Sequence, residues 1–453
     1  MAIDPPQSRR GTAVARLLEA PVDIAALAVF RILFGMMMAL GMARFMGKGW
    51  VRELYVAPVF HFSYPGFEWV RPLPDFWMHA HFVLLLILSV GIALGCCYRF
   101  CVVLFFLGFT YVELLDQVNY LNHYYFISLI SGLMIFLPAH RVWSVDALGK
   151  PALPVTTAPA WTLNLLRFQV GVVYVFAGLA KVNADWLLHA QPLRLWLAAR
   201  SDLPIIGHWL NEAWVAYAAS WCSALFDLTI PFLLLCRRTR TLAYVAVIVF
   251  HVATWLLFNI GMFPWIMMVA ALVFFPADWP RALASRVAPW RGTSPCPSVL
   301  PCAEVSRLPR WGMALLAAYA ILQLALPVRP YLMRQPAAWT GDGFNLAWQV
   351  MIAEKTGYAE FHAVDPATGQ HRRIVTRDYL TPRQERMMAQ DPQLIRAFAQ
   401  HLSSELKSRG ELNVRIKVQA YASLNGRPSQ PIISPDVDLA GLVSSGWIVP
   451  LTR

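Results

Sequence analysis

Nine stretches of the chain are almost unbroken runs of apolar residues, at roughly 22–45, 76–97, 99–117, 122–139, 161–180, 213–236, 241–259, 262–277 and 309–327. A helix of about 20 such residues, rising about 1.5 Å each, matches the hydrocarbon core of a bilayer. The pattern predicts an α-helical integral membrane protein with about nine transmembrane helices. Beyond residue 328 the pattern changes. Tyr358–Val364 alternates like a strand, Asp365-Pro-Ala-Thr-Gly makes a turn, and His371–Val375 returns as a second strand. Thr381 before Pro382 marks a helix start, with the helix running to near Gly410, and Val414–Tyr421 alternates as a third strand. These elements predict a small C-terminal α/β domain. The division is a segment 1–21, a polytopic helical membrane domain 22–327 and an extracytoplasmic α/β domain 328–453.

Composition agrees with the class: 58% hydrophobic and only 14% charged residues exclude an ordinary soluble globular chain. Arg9, Arg10 and Arg16 precede a first apolar run too long for a signal-peptide core, which predicts an uncleaved anchor with a cytoplasmic N-terminus. Positive charge recurs in alternate loops, at Arg99, at Arg141 and Lys150, at Arg237, Arg238 and Arg240, and from Arg281 to Arg310. By the positive-inside rule those loops are cytoplasmic, and an odd number of spans leaves the C-terminal domain outside, in the periplasm if the membrane is a bacterial inner membrane. The net charge of +12 is then a matter of topology and of anionic headgroups; membrane lipid is the partner it implies, and no nucleic acid is needed. Cys96, Cys97, Cys101, Cys222 and Cys236 lie in or beside spans, and Cys296 and Cys302 in a cytoplasmic loop, with neither disulfide nor metal-ligand spacing.

Polar residues at membrane depth are costly and mark sites or pathways. Asn122 and His123 open the fourth span, Lys181 and Asp185 close the fifth, Glu113 and Asp116 end the third, and His251 lies in the seventh, roughly 12 Å into the bilayer. All converge on the outer half of the membrane. Each also has a structural reading: Lys181 as an interfacial anchor paired with Asp185, Asn122 as an interhelical hydrogen bonder, and Asp227 with Arg31 as an interhelical contact.

Phe30-Arg-Ile-Leu-Phe-Gly35, Arg71-Pro-Leu-Pro74, Leu115-Asp-Gln-Val-Asn-Tyr-Leu-Asn-His123, Trp143-Ser-Val-Asp146, Ala177-Gly-Leu-Ala-Lys-Val-Asn-Ala-Asp-Trp186, Phe250-His251 and Ile260-Gly-Met-Phe263 stand in an order and spacing that resemble the vitamin K-dependent gamma-carboxylase family, in its bacterial-type group described as the horizontally transferred transmembrane domain. The resemblance continues through Trp339 to Glu354-Lys-Thr-Gly357. It implies a reaction in which reduced vitamin K (phylloquinol or menaquinol) is epoxidised by O2, a peptide glutamate loses a γ-proton, and CO2 is added there. It implies a Glu-containing peptide or protein and an isoprenoid naphthoquinone as partners, and no metal. By position in the motifs, Lys181 is the base that deprotonates the hydroquinone, Asn122 and His123 handle its oxygens, and His251 is a further catalytic residue. Trp348, Met351 and Phe263 line the ring's pocket. The animal enzymes carry two adjacent lysines where this chain has Ala180-Lys181, and their C-terminal region is longer, which leaves propeptide recognition open. The alternatives are a quinol epoxidase that carboxylates no protein, and a non-enzymatic membrane protein that binds or matures an exported partner.

Overall fold

The computed structural model describes residues 18–148, 156–287, 308–411, 413–441 and 446–452. Arg9, Arg10, Arg16, Lys150, Arg291, Cys296, Cys302 and Arg307 lie outside the described residues.

All nine apolar segments form helices: α1 (Ala25–Gly47), α2 (Asp75–Leu94), α3 (Tyr98–Leu114), α4 (Asn122–Met134), α5 (Ala160–Ala180), with the short α6 (Ala184–His189) after it, then α7 (Ala213–Leu235), α8 (Arg240–Leu257), α9 (Phe263–Ala271), α10 (Trp279–Val287) and α11 (Arg310–Ala325). Among the described residues six are long and apolar enough to cross a membrane, or seven if the bent segment from Phe263 to Arg286 is one span. By this measure of length and composition fewer helices qualify than the nine apolar segments expected. At 17 and 13 residues α3 and α4 are short, and the eighth segment turns by 95° between Phe274 and Trp279, where Pro276 blocks the helix.

Small residues let these helices touch. A Cβ on Gly35 of α1 would lie 2.4 Å from the backbone nitrogen of Ala93 in α2, so only glycine permits this crossing. Arg31, one turn before it, is fully buried and donates to the carbonyls of Ile92 (2.8 Å) and Ala93 (2.7 Å) at the end of α2, and to Ala139 and Trp143. Ile92 and Ala93 lie in the last turn of α2, where carbonyls run out of helical donors; Ile92 also accepts from the backbone nitrogen of Gly95 at 3.1 Å, and the guanidinium serves both. The pairing of Arg31 with Asp227 is therefore corrected: backbone carbonyls satisfy the arginine. Asp146 accepts from the backbone nitrogens of Cys97 and Tyr98, capping α3, which accounts for its motif.

The C-terminal region carries a four-stranded antiparallel sheet of β1 (Lys355–Val364), β2 (His371–Ile374), β3 (Arg415–Leu424) and β4 (Gln430–Pro431), in the order β2-β1-β3-β4. In β3, Ile416, Val418, Ala420, Ala422 and Leu424 face the core, the period-two pattern visible in the sequence. The expected single helix from Thr381 to Gly410 is two, α12 (Pro382–Met388) and α13 (Pro392–Ser408). Thr381 and Gln384 form a capping box on the first; Asp391 caps the second by accepting from Gln393, with Pro392 at its first turn. Phe62 and Val118, from loops on the outer side of the helices, join Phe361, Phe398 and Ile416 in one core. The sheet domain is thus seated on the helices through shared apolar packing.

Candidate functional site

Lys181 terminates α5, and its setting begins three residues earlier. A Cβ on Gly178 would meet Leu228 of α7 at 2.8 Å, backbone included, so the glycine draws the two helices together beside Asp227. Lys181 is buried, and its Nζ donates to Asp227 Oδ2 at 2.7 Å and to the carbonyl of Ala177 at 3.2 Å. The face of Trp186 lies 5.4 Å away as a third partner. Two turns back on the same face of α5, Tyr174 hydrogen-bonds His251 of α8, Oη to Nε2 at 2.9 Å. Both pairs line one cavity of about 230 Å³ whose remaining wall is almost wholly apolar.

Asp185 does not oppose the lysine. Arg427 grips its carboxylate with both terminal nitrogens, 2.5 Å to Oδ1 and 2.7 Å to Oδ2, and Asn425 adds a third bond at 2.8 Å. Burial pushes the Asp185 carboxyl up, but the bonds from Arg427 and Asn425 together hold it below its ordinary range. The expected pairing of Lys181 with Asp185 is corrected, because the sheet domain takes the aspartate and α7 supplies another.

Asn122 and His123 lie on a second, larger cavity of about 1480 Å³, whose wall also carries Arg44, Glu53, Glu113 and Arg383. Asn122 donates to the carbonyl of Gln349 at 3.3 Å, and Tyr120 donates to Asn122 while accepting from the backbone nitrogen of Leu346. These bonds strap the segment 346–351 across the top of α4. Phe263 and Met351 line both cavities. The Phe263 ring stands between the two histidines, its centroid 6.1 Å from that of His123 and 6.3 Å from that of His251. One wall of ring and thioether therefore separates the lysine from the Asn-His pair.

Six of the seven site residues named from the sequence meet around that wall. Trp348 does not: it is fully buried against Tyr125, with ring centroids 5.0 Å apart, and lines neither cavity. Its part is to back the strap. Leu346, Trp348 and Met351 all hold left-handed φ values, of 62°, 54° and 51°. Such conformations cost of order 1 kcal/mol each outside glycine and persist only where the surroundings impose them. Sequence reasoning missed Tyr174 and misassigned Asp227. The signal for the first was its seven-residue spacing from Lys181, which puts both on one helical face.

Two family models cover nearly all of this architecture. An HTTM domain matches residues 19–279, more than half of the chain, and the lumenal domain of vitamin K-dependent gamma-carboxylase matches residues 308–453. The chain belongs to the vitamin K-dependent gamma-carboxylase family. No solved structure matches it. The gamma-carboxylase lumenal domain is the sheet domain that holds Asp185, and the matched helical region contains Lys181, Asp227 and both histidines. This family member is an integral membrane protein with a lumenal domain and a carboxylase-like, vitamin K-dependent relationship, and its polar site lies where the two matched regions meet.

Proposed function

We propose that this protein is a vitamin K-dependent gamma-glutamyl carboxylase, in which Lys181 deprotonates a naphthohydroquinone and a peptide glutamate is carboxylated with CO2. The observation that carries the reading is the buried Lys181–Asp227 pair in the wall of an apolar, ring-sized cavity. The lining fits the group: aromatic and aliphatic side chains for a naphthalene ring, and two separate polar pairs, Lys181 with Asp227 and Tyr174 with His251, for its oxygens.

When bound, the reduced quinone supplies, on oxidation by O2, the strong base that no side chain offers for a C–H proton. The chain's own task is milder. In this reading the 2.7 Å contact is the path along which a proton passes between Nζ and Oδ2. Proton transfer from Lys181 Nζ to Asp227 Oδ2 frees the amine's lone pair, and Nζ then takes a hydroxyl proton. Tyr174 orients the His251 ring, and the apolar lining excludes water from both pairs. Across Phe263 and Met351, the larger cavity has the volume and the charged groups for a glutamate-bearing peptide, with Asn122 and His123 beside the shared wall. In this reading the N-terminus is cytoplasmic and the lumenal domain faces the periplasm of a bacterial inner membrane.

The test is epoxide formation by purified enzyme in detergent with reduced vitamin K, O2, bicarbonate and a glutamate-containing peptide. Lys181→Ala should lose about 10²–10⁴-fold in rate, the worth of a positioned general base, and regain part of it with a small added amine. Labelled CO2 in the peptide separates the carboxylase from an epoxidase that modifies no protein. No epoxide from folded wild-type protein with either quinone sinks the reading.

A further inference from the structure

The cavity holding Lys181 is too small for a whole isoprenoid quinol. Its volume of about 230 Å³ lies under the roughly 300–1,000 Å³ typical of pockets for drug-sized ligands, so it admits a bicyclic ring and little more. A long tail has two ways out. The larger cavity beyond Phe263 is walled mainly by apolar residues but also carries Arg44, Glu53, Glu113 and Arg383, and hydrocarbon laid along those four groups would strip them of water without a polar replacement. The other way lies between α7 and α8. Cys222 on α7 and Ala253 on α8 both line the cavity and are both exposed on the outer surface of the helix bundle. Trp221, Leu225, Val249 and Leu256 flank them, all exposed and all apolar or aromatic, which is the surface a helix presents to lipid. The cavity therefore reaches the lipid-facing surface between α7 and α8.

We propose that the slot between α7 and α8 at Cys222 and Ala253 is the entry and tail port for the quinol: the ring sits at Lys181 and the isoprenoid chain stays in the bilayer. The proposal rests on the quinol reading above and adds which quinols are accepted. With the tail outside the protein, chain length and saturation have no contact to discriminate them, so menaquinols and phylloquinol turn over alike. Ring recognition belongs to the cavity, and tail length acts only through partition into lipid.

Cys222 makes the port directly measurable. The enzyme, reconstituted in lipid nanodiscs, is treated with a membrane-permeant maleimide, and the rate of modification at each cysteine is read by mass spectrometry. Oxidised menaquinone at about ten times its Kd should slow modification of Cys222 about tenfold. Cys236, exposed at the far end of the same helix, serves as the internal control and should not change. A second arm measures epoxidation by Cys222→Trp: KM should rise several-fold for a long-tailed quinol and much less for one bearing a single prenyl unit, with kcat similar for both. Unchanged modification of Cys222 while the same preparation forms epoxide overturns the port and leaves the carboxylase reading standing. Unchanged modification with no epoxide overturns the quinol reading itself. Equal KM changes for long and short tails in Cys222→Trp also overturn the port, because a structural disturbance would not sort substrates by tail.

Discussion

At the scale of single residues, the site turns on what Asp227 does for Lys181. A buried lysine without an anion would avoid its charge at some cost in stability, and a lysine locked to a carboxylate would never offer a lone pair. The 2.7 Å contact between two side chains that are both almost fully covered fits a third arrangement, the one the proposed function requires, in which one proton moves between them. Asp227→Asn should then cut epoxidation about as severely as Lys181→Ala, and the double variant should lose little more, since members of one proton path are strongly non-additive. Single-turnover epoxide formation across pH is the measurement. An Asp227→Asn enzyme that keeps its maximal rate and merely works at lower pH would sink the relay. The lysine itself was legible in the sequence because it closes an apolar run. Its partner was not: nothing in the order of residues tells which of several intramembrane polar groups meet, and both expected pairings proved to belong elsewhere, Arg31 to backbone carbonyls and Asp185 to Arg427.

At the scale of elements, glycine decides which helices meet. Gly178 sets the approach of α5 to α7, and a methyl there meets the backbone of Leu228 at 2.8 Å. Gly178→Ala should destabilise the protein by about 1–3 kcal/mol, as overpacked interiors do, and should lower kcat through the displaced Lys181–Asp227 pair. Gly171, two turns earlier on the same helix, has only Pro231 at 3.9 Å and supplies the control. Gly171→Ala should be neutral or raise Tm slightly, because alanine favours the helix by about 1 kcal/mol. Thermal unfolding of both variants beside the parent checks the pair, and equal effects would refute the argument. Elements with a strong period were readable in advance: β3 alternates as expected, and the nine apolar runs are all helical. Breaks were harder. The Asp391-Pro392 step divides the lumenal helix, and its cap signature was present in the sequence but masked by helix-favouring residues on both sides. The 95° turn after Phe274 falls near the end of the eighth apolar run and leads into the more polar helix Trp279–Val287.

At the scale of the whole molecule, the lumenal domain contains its own buried charge. Lys355 donates to the carbonyl of Trp339 at 2.5 Å beneath that residue's indole, and burial, only partly offset by Asp391, brings its ammonium down to about 8 from the ordinary 10.5. The same burial drives the Asp391 carboxyl up against the attraction of Lys355. Between pH 8 and 10.5 the unfolded chain holds the lysine proton that the folded chain has released, so stability rises with pH across that window and is lost as pH falls through 8. The lysine's share is about 3 kcal/mol, each pH unit being worth about 1.4. Denaturant unfolding of the detergent-solubilised protein should show this rise, and Lys355→Met should flatten it. An unchanged slope in the variant would assign the effect to another group.

The clasp of Arg427 and Asn425 on Asp185 also sets a timetable for synthesis. Lys181 and Asp227 enter the membrane early, when little more than half of the chain has been made, whereas the residues that secure Asp185 come from the turn that follows β3. Until that turn arrives, the segment after the lysine is held only by α7, through bonds such as Trp186 to the carbonyl of Ser220 and Tyr217 to the carbonyl of Leu188. A growing or prematurely terminated chain is thus a membrane-embedded helix bundle without a completed site, and under the proposed function it should not oxidise quinol. A chain stopped before Asn425 should insert normally and form no epoxide, and epoxide from such a fragment would show that the base needs no clasp.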